Sequence, residues 1–205
     1  FGKRPIDYCH GLGLLSPIST FFHVVEANEE EMTLLASTGS AVVHNPASNM
    51  KLASGAARID DMRRVGVCVG LGTDGPASNN AQNMVREMYV ASLLQKVHHL
   101  SPTACPAQAA LDMATRGGSA ALHDPYIGTL EPGMRADFIA LSLDSPNMQP
   151  VHNVISNIVY AATGAENILT VVNGCELYRD GKFLTCDYEA LRDEIQKAIT
   201  WVKNS

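Results

Sequence analysis

The feature that most restricts this chain is a rhythm in its first hundred residues. Short apolar runs alternate with amphipathic stretches, the pattern that winds a parallel sheet through β-α-β crossovers. Residues 19–25, 41–44 and 67–71 read as strands. Asn28, with Glu31 three residues on, has the form of a capping box and opens the first intervening helix, which Gly39 closes. Residues 45–55 read as a polar loop and residues 59–65 as a second helix closed by Gly66. The third strand runs into a loop over residues 72–80 and then a long helix to about His98. A parallel sheet brings the C-terminal ends of its strands to one face, and function in such folds lives there.

After a further helix over residues 106–122 the rhythm changes. Residues 127–141 have the turn residues and apolar run of a hairpin, and residues 169–183 carry Asn173-Gly174 and Asp180-Gly181, two more turn signals. In the tail, Leu191, Ile195, Ile199 and Val202 fall at helical spacing, which predicts an amphipathic helix packed on one face. The chain therefore reads as α/β over residues 1–124, a β-rich unit with an interposed helix over 125–187, and a terminal helix over 188–205.

With 205 residues, 46% of them apolar, there is material for a sizeable core. Fifteen basic against 21 acidic side chains leave a net charge of −6, which argues against a nucleic-acid partner. No apolar run approaches the roughly 18 to 20 residues that span a bilayer, and the N-terminus lacks the layout of a signal peptide. The expectation is a cytoplasmic protein with no membrane partner. The five cysteines are odd in number and contain no C-x-x-C pair, so they read as reduced thiols, with Cys68 in a strand core. The chain starts at Phe1 in a helix-like stretch, as the back portion of something longer would.

Three polar residues stand at or just beyond the predicted strand ends: His23, His44 and Asp74. Imidazole and carboxylate suit Zn²⁺ or Fe²⁺, and a carboxylate beside activated water can accept its proton. Each also has a plainer reading. A histidine at a strand end can be a hydrogen-bonded structural residue, His44 before Asn45-Pro46 can anchor a turn, and Asp74 can be a loop aspartate accepting backbone N–H groups. Recurrence at one structural place favours a functional face. Gly70-Leu-Gly72-Thr-Asp-Gly75 matches G-x-G-x-x-G, yet no second strand ending in an acidic residue follows at the required distance, and Pro76 adjoins the third glycine. A nucleotide site is not expected there.

Three linked segments carry a resemblance: residues 20–23, residues 42–55 with His44, Asn49 and Ser54, and residues 71–80 with Asp74 and Ser78. They are similar to the closing barrel strands of the amidohydrolase superfamily, in its cytosine-deaminase-like and chlorohydrolase-like branch. Residues 128–137 and 171–181 resemble the same enzymes' C-terminal β-domain. The resemblance implies the last part, about strands 6 to 8, of a distorted (β/α)₈ TIM-like barrel. It also implies one divalent metal, zinc before iron, and hydrolysis of a C–N bond other than a peptide bond in an amino-substituted heterocycle. The substrate implied is a purine nucleoside of the methylthioadenosine or adenosylhomocysteine type. Asp74 matches the metal aspartate that takes a proton from the attacking water. His23, adjacent to the metal, matches the histidine that stabilises the developing centre, and His44 and Ser78 match positions beside the substrate.

There are departures. Relatives often carry a second histidine where this chain has Glu26, and the His-x-His and further histidine that complete the family's ligand set are absent from these residues. The 205 residues alone are therefore expected to be inactive, the other ligands to lie upstream in a longer parent, and an incomplete barrel to associate as a homo-oligomer. An s-triazine or guanine-type amidohydrolase, and a catalytically silent structural fragment, are the alternatives.

Overall fold

The computed structural model describes residues 2–203. Its first part runs α1 (Pro5–Gly11), β1 (Thr20–Phe22), α2 (Glu29–Ser37), β2 (Ala41–His44), α3 (Pro46–Lys51), α4 (Ile59–Arg64), β3 (Cys68–Leu71), α5 (Pro76–Asn79) and α6 (Met84–His99). The three strands form one parallel sheet in the order β1-β2-β3, with Thr20 beside Ala41 and Ala41 beside Cys68. The middle strand is covered on both faces, and Val42 is fully buried, as continuous apolar strands of parallel sheets are.

Local chemistry explains most of these elements. Asn28 and Glu31 make the expected reciprocal capping box on α2. Glu31 goes further, accepting from the Ile6 amide at 3.0 Å and from Arg4 at 2.7 Å, which fastens α1 to α2. The stretch expected as a polar loop after the second strand contains α3. Pro46 in its first turn sets φ for a helix and lacks the N–H that would be left unpaired there. The first strand is shorter than expected, because His23 and Val24 take left-handed backbone conformations at φ 67° and 45°. Cys68 is exposed rather than in the strand core, since it is the first residue of β3 and burial begins at Val69.

The helix expected over 106–122 is two helices, α7 (Ala107–Ala114) and α8 (Arg116–Leu122), broken at Thr115 with φ −117° and ψ −89°. The break lets α8 lie directly on β3. A methyl group at Gly117 would sit 2.1 Å from the Val69 carbonyl oxygen, so only glycine permits that approach.

The second part comprises β4 (Phe138–Leu141), α9 (Val154–Tyr160), β5 (Asn167–Val172), β6 (Cys175–Arg179), β7 (Lys182–Phe183) and α10 (Tyr188–Lys203). The four strands make an antiparallel sheet in sequence order. The hairpin expected within 127–141 does not form: residues 127–137 are irregular, and β4 pairs with β5 instead, Phe138 beside Val171. Both predicted turns do form. Asn173-Gly174 and Asp180-Gly181 have positive φ at both central positions, as two-residue hairpins of this twist require. Between this sheet and α6, α7 and α9 lies an apolar cavity of about 570 Å³.

The tail helix spans the expected residues and stacks its first residue, Tyr188, on Phe183 with ring centroids 5.2 Å apart, but it buries no face. None of its residues is buried, and Leu191, Ile195 and Ile199 are each at least 40% exposed. Among the described residues no helix is long and apolar enough to cross a membrane, and all five cysteines are free thiols.

Candidate metal and proton-transfer site

Asp74 follows β3 and His23 follows β1, both just past the C-terminal ends of parallel strands, so the sheet itself brings them together across 51 residues of sequence. His23 Nε2 lies 3.9 Å from Asp74 Oδ2. Asp74 has a left-handed backbone, φ 62°, which aims its carboxylate back over the strand ends. Histidine and aspartate are among the few non-glycine residues found often in that region.

The Asp74 carboxylate is gripped by hydrogen-bond donors. Ser48 on α3 donates to Oδ2 at 2.5 Å, Ser78 on α5 donates to the same oxygen at 2.8 Å, and the Gly75 amide donates to Oδ1 at 2.7 Å. The Ser48 hydroxyl first, then Ser78 and the Gly75 N–H, hold the carboxyl down at about 2, well below its ordinary value. The group is therefore an anion at neutral pH.

His23 is oriented from its other side. Its Nδ1 is 2.8 Å from Asn49 Oδ1, an acceptor, which places the ring proton on Nδ1. In the neutral ring this leaves the Nε2 lone pair facing the Asp74 oxygen. A lone pair opposed to a carboxylate is repulsive unless a cation or a proton lies between them. Imidazole nitrogen and carboxylate oxygen are the donor types that a divalent zinc or iron accepts, so this pair fits the edge of such a site. Among the described residues no cluster of three or more histidine, cysteine, aspartate or glutamate side chains has metal-holding geometry.

His44 is the last residue of β2, at the strand end where the sequence placed it. It is fully buried, and neither ring nitrogen has a hydrogen-bond partner. Burial above all, and next the neighbouring His23, pushes its imidazole down to about 3, so the ring is neutral. Ser78 is at the mouth, on the Asp74 carboxylate. Ser48 and Asn49, which touch Asp74 and His23, were not singled out as site residues from sequence. Their signal was their place in the segment that begins at His44, since a helix starting at a strand end points its first turn into the same face.

The glycine-rich stretch at Gly70 serves packing. A methyl group at Gly70 would meet the Gly117 carbonyl at 2.9 Å, and one at Gly72 would meet the Asn45 amide at 2.8 Å. The helix that opens directly after Gly75, α5, has four residues, so the dinucleotide turn is not built.

The profile of the amidohydrolase family matches residues 1–177. The chain belongs to that family. This amidohydrolase chain is 54% identical over 202 residues to a 5-methylthioadenosine/S-adenosylhomocysteine deaminase of Nitratidesulfovibrio vulgaris (strain Miyazaki F), and the match covers 98% of this chain and 46% of the relative. It is 44% identical over 193 residues to the enzyme of the same name from Halobacterium salinarum, covering 94% of this chain and 44% of that one. The chain thus spans about half the length of the curated relatives it matches. Among known structures, a zinc-bound adenosine deaminase from Xanthomonas campestris superposes with a TM-score of 0.97 at 32% identity, over 100% of this chain and 47% of that one. A zinc complex of the atrazine chlorohydrolase of Arthrobacter aurescens gives 0.91 at 28% identity, over 96% and 44%.

Proposed function

We propose that this chain is the later part of a metal-dependent hydrolytic deaminase of purine nucleosides, of the methylthioadenosine and adenosylhomocysteine type. In this reading β1, β2 and β3 are three consecutive strands, about the sixth to eighth, of a (β/α)₈ barrel. The observation that carries it is the His23 Nε2 lone pair turned toward the ionised Asp74 carboxylate across 3.9 Å. Two donors from this chain fall short of the three protein ligands that a catalytic zinc usually takes. The remaining ligands are therefore assigned to residues outside the 205 described by this sequence. A divalent cation bound there supplies Lewis acidity, which lowers the pKa of water toward neutrality.

The roles of this chain's own groups follow from their geometry. Asp74, held anionic by three donors, accepts the proton released as water attacks the ring carbon bearing the amino group, and returns it to the departing ammonia. His23, fixed by Asn49, turns its Nε2 lone pair toward Asp74, where it accepts a hydrogen bond from the attacking water and so orients it. Ser78, on the Asp74 carboxylate, and His44, at the end of β2, are assigned to the substrate side of the site. Identity of 54% to enzymes named for methylthioadenosine and adenosylhomocysteine, against 28% to a triazine hydrolase, favours the nucleoside substrate.

The test is Asp74→Asn in the intact enzyme, with bound metal measured by elemental analysis and ammonia release from methylthioadenosine measured by coupled assay. Loss of both metal and turnover is expected. Retention of near-normal metal content and rate removes Asp74 from the site.

A further inference from the structure

The inward face of α6 carries a carboxylate that the reading above does not use. Glu87 is fully buried between Val85 and Met88, both less than a tenth exposed. Its Oε1 accepts from Asn79 Nδ2 at 2.7 Å, and its Oε2 accepts from the Ala47 amide at 3.3 Å. Those two partners are telling. Ala47 directly precedes Ser48, and Asn79 directly follows Ser78, the two hydroxyls that hold Asp74 Oδ2. The same Asn79 amide also donates to the Thr73 carbonyl at 2.6 Å, immediately before Asp74. One side chain thus ties together the residues beside both hydroxyls of the Asp74 grip, and through Asn79 it reaches the main chain just before Asp74. From the solvent side the exposed Lys51 also bridges α3 to the α5 segment, through the Ala77 carbonyl at 2.8 Å and Asn80.

A buried carboxylate costs more to desolvate than a packed apolar side chain of the same volume, so stability alone does not account for Glu87. We propose that Glu87 is a positioning residue for Asp74: from below the site it sets the spacing of α3 and α5, and so the point at which Ser48 and Ser78 fix the carboxylate. Only the catalytic consequence rests on the reading of Asp74 as the proton acceptor; the bracing itself is independent of it.

Two substitutions separate bracing from packing. Glu87→Gln keeps the shape but turns an N–H toward one of two donors. Glu87→Met keeps the volume while removing both acceptors and the buried charge. In the intact enzyme both are expected to lower kcat on methylthioadenosine by about 10- to 100-fold, the range seen when groups orienting a metal site are removed. KM should stay within about three-fold and the melting temperature of the Met variant close to that of the parent, while exchange of the Ala47 amide accelerates. Glu87→Asp, which retains the charge on a shorter arm, should recover part of the loss. The proposal is overturned if both folded variants keep kcat within about two-fold, or if lost rate merely follows lost folded protein. Should the parent enzyme turn over no purine nucleoside, the proposed function falls by itself. The brace is then judged on amide exchange at Ala47 and Asn79, and unchanged exchange in Glu87→Met refutes it.

Discussion

Adjacent glycines on α8 offer a matched pair of substitutions with opposite expected signs. Neither Gly117 nor Gly118 has positive φ, so alanine is conformationally acceptable at both and gains up to about 1 kcal/mol of helix propensity. At Gly118 nothing lies within 4 Å of the added methyl group, and Gly118→Ala should stabilise the protein by about 0.5 to 1 kcal/mol. At Gly117 the methyl group falls 2.1 Å from Val69 O, 3.0 Å from Val69 C and 3.1 Å from Gly70 Cα. All three are backbone atoms of a strand hydrogen-bonded to its neighbour, so none can swing aside as a flexible side chain would. Contact there becomes ordinary only beyond 3.4 Å, and α8 must therefore lift off β3. Overpacking costs about 1 to 3 kcal/mol, and against rigid backbone at 2.1 Å the upper end applies, which exceeds the propensity gain by about 2 kcal/mol. A net loss of about 2 kcal/mol translates into a fall of roughly 4 to 8 °C in melting temperature for a chain of this size, against a rise of about 2 to 3 °C for the neighbour. Thermal unfolding followed by circular dichroism reads both. If Gly117→Ala melts at or above the parent, close approach of α8 is not what glycine serves there.

Two further outcomes test other parts of the fold. Burial alone would raise the carboxyl of Glu166, but the Asn147 amide and the N–H groups of Thr163 and Gly164 outweigh it and hold the group at about 2. A depressed carboxylate contributes stability that is fully present above its unfolded value near 4.5 and is lost as pH falls toward 2. Glu166→Gln should therefore cost about 2 to 3 kcal/mol at neutral pH and flatten the acid limb of a urea-unfolding series between those limits; an unaltered limb refutes the assignment. Deleting residues 188–205 from this chain should lower helical content yet leave the melting temperature within about 1 °C, because no residue of α10 is buried; a larger drop means the helix docks after all.

What could be read in the sequence was what local chemistry or a sheet's geometry decides. The Asn28–Glu31 cap and the Asn-Gly and Asp-Gly turns are short-range, so they form where they were expected. His23 and Asp74 meet because parallel strands deliver their ends to one face. What escaped was decided by distant partners. The division between α7 and α8 depends on β3 lying against Gly117, and α3 was hidden by polar residues that look outward in sequence but become buried, Ser48 and Asn49 among them. Pairing of β4 with β5 rather than with its own neighbours is likewise a long-range choice. Glu87 reads in sequence as an ordinary charged helix residue, and only its place beneath α3 and α5 gives it a partner set.

The left-handed main chain at positions 23 and 74 limits what a mutational library can return there. Screening for new chemistry at either position should recover asparagine, aspartate, histidine and glycine readily. Valine, isoleucine and threonine should be recovered less often whatever their reactivity, because their branched carbons crowd the peptide at such angles, a strain that Val24 already bears beside His23. Diversity at this face is filtered by dihedral angle before any selection for turnover begins.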